Sequence, residues 1–292
     1  MSIDALQEKI RKLKNPSVID FGVTPEHLPQ HLLDDEGSVL KAYCRFCREL
    51  MDGVKHLVPA VRFSFATFAL MSPDGMVELY NLLFEAKALG FYVILDGPAV
   101  LSPWDADRTA SWCFREGSKY PCDGLALNPY IGSDAIKPFL PYCRDAGKDL
   151  YLIIRTANKS ARELQDLLTG TRLAHMAAAD LLSRYGDPIM GSCGYSRICA
   201  MAAASAPDSL RNLRAKYKRT FLLVDGLDYP SGNAKNCSYA FDKLGHGAAV
   251  CAGPSVTAAW LEAETDGTDY VEQAVQAAER MKKNITRYIT VL

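Results

Sequence analysis

The sequence has no stretch approaching the roughly 20 apolar residues that cross a bilayer. It also has no surplus of positive charge: 33 Lys and Arg stand against 34 Asp and Glu in 292 residues. The first absence argues against a membrane span. The second argues against nucleic acid as the main partner, because a phosphate backbone or an anionic lipid surface needs cations to neutralise it. The opening segment MSIDALQEKIRKLKNP lacks the apolar core of a secretory signal and alternates charged with apolar residues at helical spacing. Histidine is scarce, five residues at 27, 31, 56, 175 and 246, with no H-E-x-x-H among them, so no metal centre is predicted. Disorder is excluded by composition, with 49% hydrophobic and 23% charged residues.

What is present fits a cytoplasmic globular chain. Nine cysteines without an export signal read as reduced thiols. Cys44 and Cys47 have C-x-x-C spacing, but no second pair or nearby His completes a zinc set. They lie in LKAYCRFCREL, where two small hydrophobes on one helix face predict core packing. Trp104, Trp112 and Trp260 are likewise read as packing residues.

Short apolar runs alternate with longer amphipathic segments. The predicted strands are SVIDF (17–21), LVPAVRF (57–63), FYVILD (91–96), GLALN (124–128), LYLIIR (150–155), PIMGS (188–192), TFLLVD (220–225) and AAVCA (248–252). Several are continuously apolar, as strands covered on both faces must be. In PDGMVELYNLLFEAKALG, Met76, Leu79, Leu83 and Ala86 repeat at three and four, and Gly90 supplies the stop. Ser133 is read as the cap of the helix after Gly132, and Val271, Ala274, Ala278, Met281 and Ile285 as one face of the last helix. Eight strand–helix units without a linker predict a single α/β domain over 1–292, a (β/α)8 TIM barrel, with an N-terminal helix over 3–13 packed outside it. An open doubly wound sheet is the alternative, but FGVTP after the first strand offers no G-x-G-x-x-G.

Chemistry in such barrels sits at the carboxyl ends of the strands. The predicted ends are Asp20-Phe21-Gly22, Arg62-Phe63-Ser64, Asp96-Gly97-Pro98, Asn128-Pro129-Tyr130, Arg155-Thr156-Ala157-Asn158, Gly191-Ser192-Cys193, Asp225-Gly226-Leu227-Asp228 and Ala252-Gly253-Pro254-Ser255.

Read in that order, with the opening MSIDALQEKIRKLKNPSV, the strand FYVILDG, LALNPYIGSDAIKPFL, LIIRTANKSARELQDL and the closing VEQAVQAAERMKKNITRYI, the chain resembles the orotidine 5′-phosphate decarboxylase family in its longer bacterial form. The resemblance implies a cofactor-free barrel that dimerises with its active sites at the subunit interface. It also implies an alternating Lys–Asp–Lys–Asp array that removes CO2 and protonates the resulting carbanion. Here D-x-K-x-x-D reads Asp96-Gly97-Pro98-Ala99-Val100-Leu101, so only Asp96 is kept, and Arg62 replaces the strand-two lysine. An arginine does not release a proton near neutral pH. No lysine lies between Lys87 and Lys119. The family's phosphate-binding glutamine and arginine fall at Pro230 and Pro254, which offer neither a side-chain donor nor a backbone N–H. The aspartate after the first strand falls at Gly22, with Asp20 two residues earlier, and the serine facing the pyrimidine falls at Ala157. The candidate site is therefore Asp96 and Arg62 in the catalytic positions, with Asp20, Asn128, Thr156, Asn158 and Ser255 as ligand-binding positions, and no metal or cofactor.

Three readings follow. The chain is an inactive family member acting through a partner, as a homodimer or paired with an active relative. Alternatively it takes a new small-molecule ligand at the barrel mouth, with Arg62 holding a carbonyl or carboxylate and Asp96 as base, although a leftover Arg62–Asp96 ion pair would look the same. Or it retains weak decarboxylation, with Lys235 supplying the missing ammonium. Prolines 98 and 103 predict a stiff loop that no longer closes over a ligand.

Overall fold

Strand residues of alternating parity belong to two different apolar clusters, and that division builds the architecture. Val18, Tyr92, Ile94, Tyr151, Met201, Phe221 and Leu223 point inward and pack with one another. Their neighbours Ile19, Val93, Leu95, Leu152, Leu222 and Val224 point outward under the helices. Both faces are dry, so the strands read as apolar runs and pair in parallel. The computed structural model describes residues 1–290; the last two positions of the expected 1–292 span lie outside the described residues.

The strands are β1 (Ser17–Asp20), β2 (Ala60–Ser64), β3 (Tyr92–Asp96), β4 (Gly124–Leu127), β5 (Asp149–Arg155), the short hairpin β6 (Leu168–Thr169) and β7 (Arg172–Leu173), β8 (Ser196–Ala203), β9 (Thr220–Asp225) and β10 (Ala248–Ala252). Eight of them close a parallel barrel in the order β1-β10-β9-β8-β5-β4-β3-β2, while β6 and β7 pair antiparallel outside it. This is the expected (β/α)8 barrel. Gly124 is required inside it: a Cβ there would stand 2.5 Å from the Tyr151 ring and 2.8 Å from the Tyr92 hydroxyl.

Four expectations need correction. The sixth barrel strand is Ser196–Ala203, not 188–192, where Met190 makes only an isolated bridge to Ser196. The Gly191-Ser192-Cys193 segment is therefore not at the mouth; Cys193 N–H donates to Asp4 Oδ1 at 2.8 Å, beside the N-terminal helix. That helix, Ile3–Leu13, is not packed outside the barrel like the surrounding helices. Ile3, Leu6 and Ile10 are fully buried in the inward-facing cluster and close the barrel's amino-terminal end. Trp104 and Trp112 are exposed, at 74% and 56%, whereas Trp260 is buried. Ser133 lies inside a 3-10 turn, Gly132–Ala135, and makes no cap hydrogen bond.

Other local expectations hold. The helix Gly75–Ala88 stops at Gly90 with φ +89°, and Cys44 and Cys47 are buried on the helix Val39–Val54. No helix among the described residues is long and apolar enough to cross a membrane.

Candidate functional site

The barrel register sets Asp20 beside Arg62 on β1 and β2, and Ser64 beside Asp96 on β2 and β3. Arg62 comes from the base of the mouth and is 8% exposed. Its Nε donates to Asp96 Oδ1 at 3.0 Å and its Nη2 to Asp96 Oδ2 at 2.5 Å, a two-point fork. Nη1 faces Asp225 Oδ1 at 3.1 Å, Asp20 Oδ2 at 3.3 Å and the Cys251 sulfur at 3.7 Å. One guanidinium thus serves three carboxylates, leaving the cluster with net negative charge when all ionise. Burial pushes the Asp20 carboxyl up to about 6; Arg62 pulls it down, and Asp96 and Asp225 push it further up. Burial opposes the charge on Arg62, but the three aspartates hold it protonated far above neutral pH.

Among the described residues, the cation paired with Asp20, Asp96 and Asp225 is Arg62, and no lysine joins them. Lys235 is exposed on the short helix Ala234–Cys237. Asp225 was legible as a strand-end carboxylate, but sequence alone does not bring it across the barrel to an arginine 163 positions away.

In many such barrels the loops after the last two strands bind phosphate. Here the amides of the last loop are taken by Asp228. Gly253 N–H donates to Asp228 Oδ2 at 2.7 Å and Ser255 N–H to Oδ1 at 3.1 Å, while Pro254 between them has no N–H to offer.

Asn128, Thr156 and Asn158 lie on the opposite side and do not touch Arg62 in any hydrogen bond. Asn128 Oδ1 accepts from Tyr130 N–H at 3.0 Å. Thr156 Oγ1 donates to Asn158 Oδ1 at 2.6 Å and accepts from Gln165 Nε2 at 2.8 Å. Arg155 forks onto Asp166 with both contacts at 2.9 Å and holds that carboxyl below its ordinary range. The same Asp166 faces His175 Nδ1 at 3.3 Å. His175, Gln165 and Asp166 were not singled out from sequence; only the segment ELQDL was, as a family marker. A Cβ at Gly226 (φ +75°) would stand 2.4 Å from Ala157 Cβ, so the β5 and β9 loops meet there with no polar group between them.

No family model matches the chain. An orotidine 5′-phosphate decarboxylase of Rhodopirellula baltica is 30% identical over 249 residues, covering 82% of this chain and 82% of that protein. One of Clostridium novyi is 25% identical over 290 residues, covering 98% of each. Among solved structures, Leishmania donovani OMP decarboxylase superposes with a TM-score of 0.70 at 19% identity, over 97% of this chain and all (100%) of that one. Plasmodium berghei orotidine 5′-monophosphate decarboxylase gives a TM-score of 0.76 at 13% identity, over 97% and 99%.

Proposed function

The chain belongs to the orotidine 5′-phosphate decarboxylase family, and we propose that it keeps the family's barrel without the family's reaction, acting through a partner subunit. The observation that carries this is the saturated guanidinium. Arg62 stands where a lysine is expected and is already shared by Asp96, Asp225 and Asp20. It has no proton to give a carbanion at neutral pH. The surplus carboxylates repel a substrate that carries its own carboxylate and phosphate. Asp228 occupies the backbone N–H groups that would receive that phosphate. Removing one preorganised charged group commonly costs about 10²–10³ in rate, and several act as a unit.

Partner binding draws support from the surface. Leu101 stands where the family places the aspartate reaching into the neighbouring subunit, and it is 78% exposed. Pairing with a second copy or with an active relative is the proposed arrangement, in the cytoplasm.

The test is an absorbance assay with orotidine 5′-phosphate on the purified chain, run beside an active decarboxylase and the Lys235→Ala variant. No turnover above the uncatalysed rate is expected, and uridine monophosphate should raise the Tm no more than matched buffer salt does. Turnover abolished by Lys235→Ala would establish the residual-activity reading instead. The reading in which Arg62 grips a ligand carboxylate with Asp96 as base is disfavoured, because Asp96 already takes two of the guanidinium contacts.

A further inference from the structure

A cavity of about 330 Å3 opens in the outer layer, where the closing helix Tyr270–Thr286 packs over the short helices Ala234–Cys237, Pro254–Thr257 and Ala259–Glu262. It shares no residue with the Arg62 cluster. Its lining divides by chemistry. Val256, Ala277 and Met281 are buried and Leu227 partly so, and together they give it an apolar base. Three exposed polar side chains join them in the lining. Arg280 and Asn284 lie one turn apart on the long helix, on the same side as Ala277 and Met281. Glu262 comes from the neighbouring short helix. Among the described residues, none of these three side chains makes a hydrogen bond or an ion pair, so the cavity holds a cation and an anion that do not neutralise each other.

We propose that this cavity binds a zwitterionic α-amino acid with a large apolar side chain, its carboxylate on Arg280 and Asn284 and its ammonium on Glu262. Charge selects the class. A simple anion would meet Glu262 and a simple cation Arg280, whereas a zwitterion answers both. Size agrees. An apolar cavity of about 150 Å3 takes benzene, so about 330 Å3 takes a phenyl ring with a charged backbone beside it. A few placed polar groups over an apolar base is the ordinary make-up of a small-molecule site. The proposal is independent of whether the Arg62 cluster retains any catalysis.

The probes are L-phenylalanine, 3-phenylpropanoate without the ammonium, phenethylamine without the carboxylate, and glycine without the ring. Calorimetric titration of the full chain should show L-phenylalanine binding about fivefold more tightly than either single-charge analogue, as expected for one exposed ion pair apiece. Glycine should not bind. A crystal grown with L-phenylalanine should place the carboxylate against Arg280 and the ring on Met281. Arg280→Gln should abolish the preference over phenethylamine, and Glu262→Gln the preference over 3-phenylpropanoate. Both side chains are exposed, so neither variant should move the Tm of the free chain. Equal affinity for the three aromatic probes, glycine binding as tightly as L-phenylalanine, no binding up to the solubility limit, a ligand seated elsewhere, or preferences unchanged in the two variants would each overturn the proposal.

Discussion

Arg62 is the residue on which the mouth depends, since three aspartates within 3.3 Å rely on it for compensation. Breaking a buried pair by deleting one partner costs about 3–5 kcal/mol, and the cost here falls towards the lower figure because the carboxylates reach solvent. Arg62→Leu should therefore lower stability by about 3 kcal/mol near neutral pH and by less near pH 5, where Asp20 is protonated. Denaturant unfolding at both pH values checks this; an equal loss at each would show that the guanidinium acts through packing and not through charge. The barrel floor carries a second titrating group. Burial pushes Asp149 from 3.8 up to about 8, although Tyr92 and Arg197 pull the other way. A carboxyl raised in the fold holds a proton that the unfolded chain has released, so its contribution is complete below 3.8 and is lost as pH rises towards about 8. Asp20 acts with the same sign between 3.8 and about 6. Asp180 has the opposite sign: burial opposes it, but Lys216, Tyr217 and Arg172 hold it down to about 2, so its contribution is lost only in acid. Stability should peak in mild acid and decline towards pH 8. Asp149→Asn should flatten the decline, which thermal unfolding across that range reads directly.

At the scale of elements, the strands whose two faces are both apolar were legible because each run is bounded by turn residues: FYVILD by Gly97-Pro98, TFLLVD by Gly226. The sixth was not. Ser196–Ala203 is SRICAMAA, with three alanines, an arginine and a methionine, residues that favour helix in isolation. Its strand conformation comes from β5 and β9 on either side, a tertiary constraint that no local window contains. PIMGS looked better by turn chemistry and is the connection below. The N-terminal helix was read correctly in extent, but amphipathicity says only that one face is buried, not what lies under it. Its apolar face is the barrel's lower lid. Leu6→Ala should thus behave as a core truncation, costing about 2–5 kcal/mol, and should loosen hydrogen-exchange protection of inward residues such as Tyr92 and Phe221 ahead of the outer helices. A loss below about 1 kcal/mol, the range of surface changes, would mean the helix merely rests on the barrel.

For the molecule as a whole, the fold could be read from periodicity, whereas the site could be read only as a set of substitutions. Sequence shows that lysines are missing; it does not show that Asp225 crosses the barrel to Arg62 or that Asp228 turns back onto the Gly253 and Ser255 amides, because both contacts are set by barrel closure. The same holds for the outer surface. Leu70, Val77 and Phe84 follow β2, and Leu101, Trp104 and Trp112 follow β3, all more than half exposed and carried by consecutive segments on one side of the barrel. Val77 and Phe84 lie seven positions apart on one helix, and Trp104 and Trp112 eight apart on the next, so each helix presents an apolar stripe outward. A monomer rarely leaves so much large apolar surface uncovered. With a net charge of −1 there is little long-range repulsion to keep two copies apart. The chain should therefore sediment as a dimer at micromolar concentration. Trp104→Asp, at a side chain 74% exposed, should shift it to monomer without lowering the intrinsic stability of the barrel. If the wild-type chain is monomeric alone but dimerises when mixed with an active decarboxylase of its own cell, the stripe serves a mixed pair. A monomer under both conditions would separate the exposed tryptophans from any subunit contact.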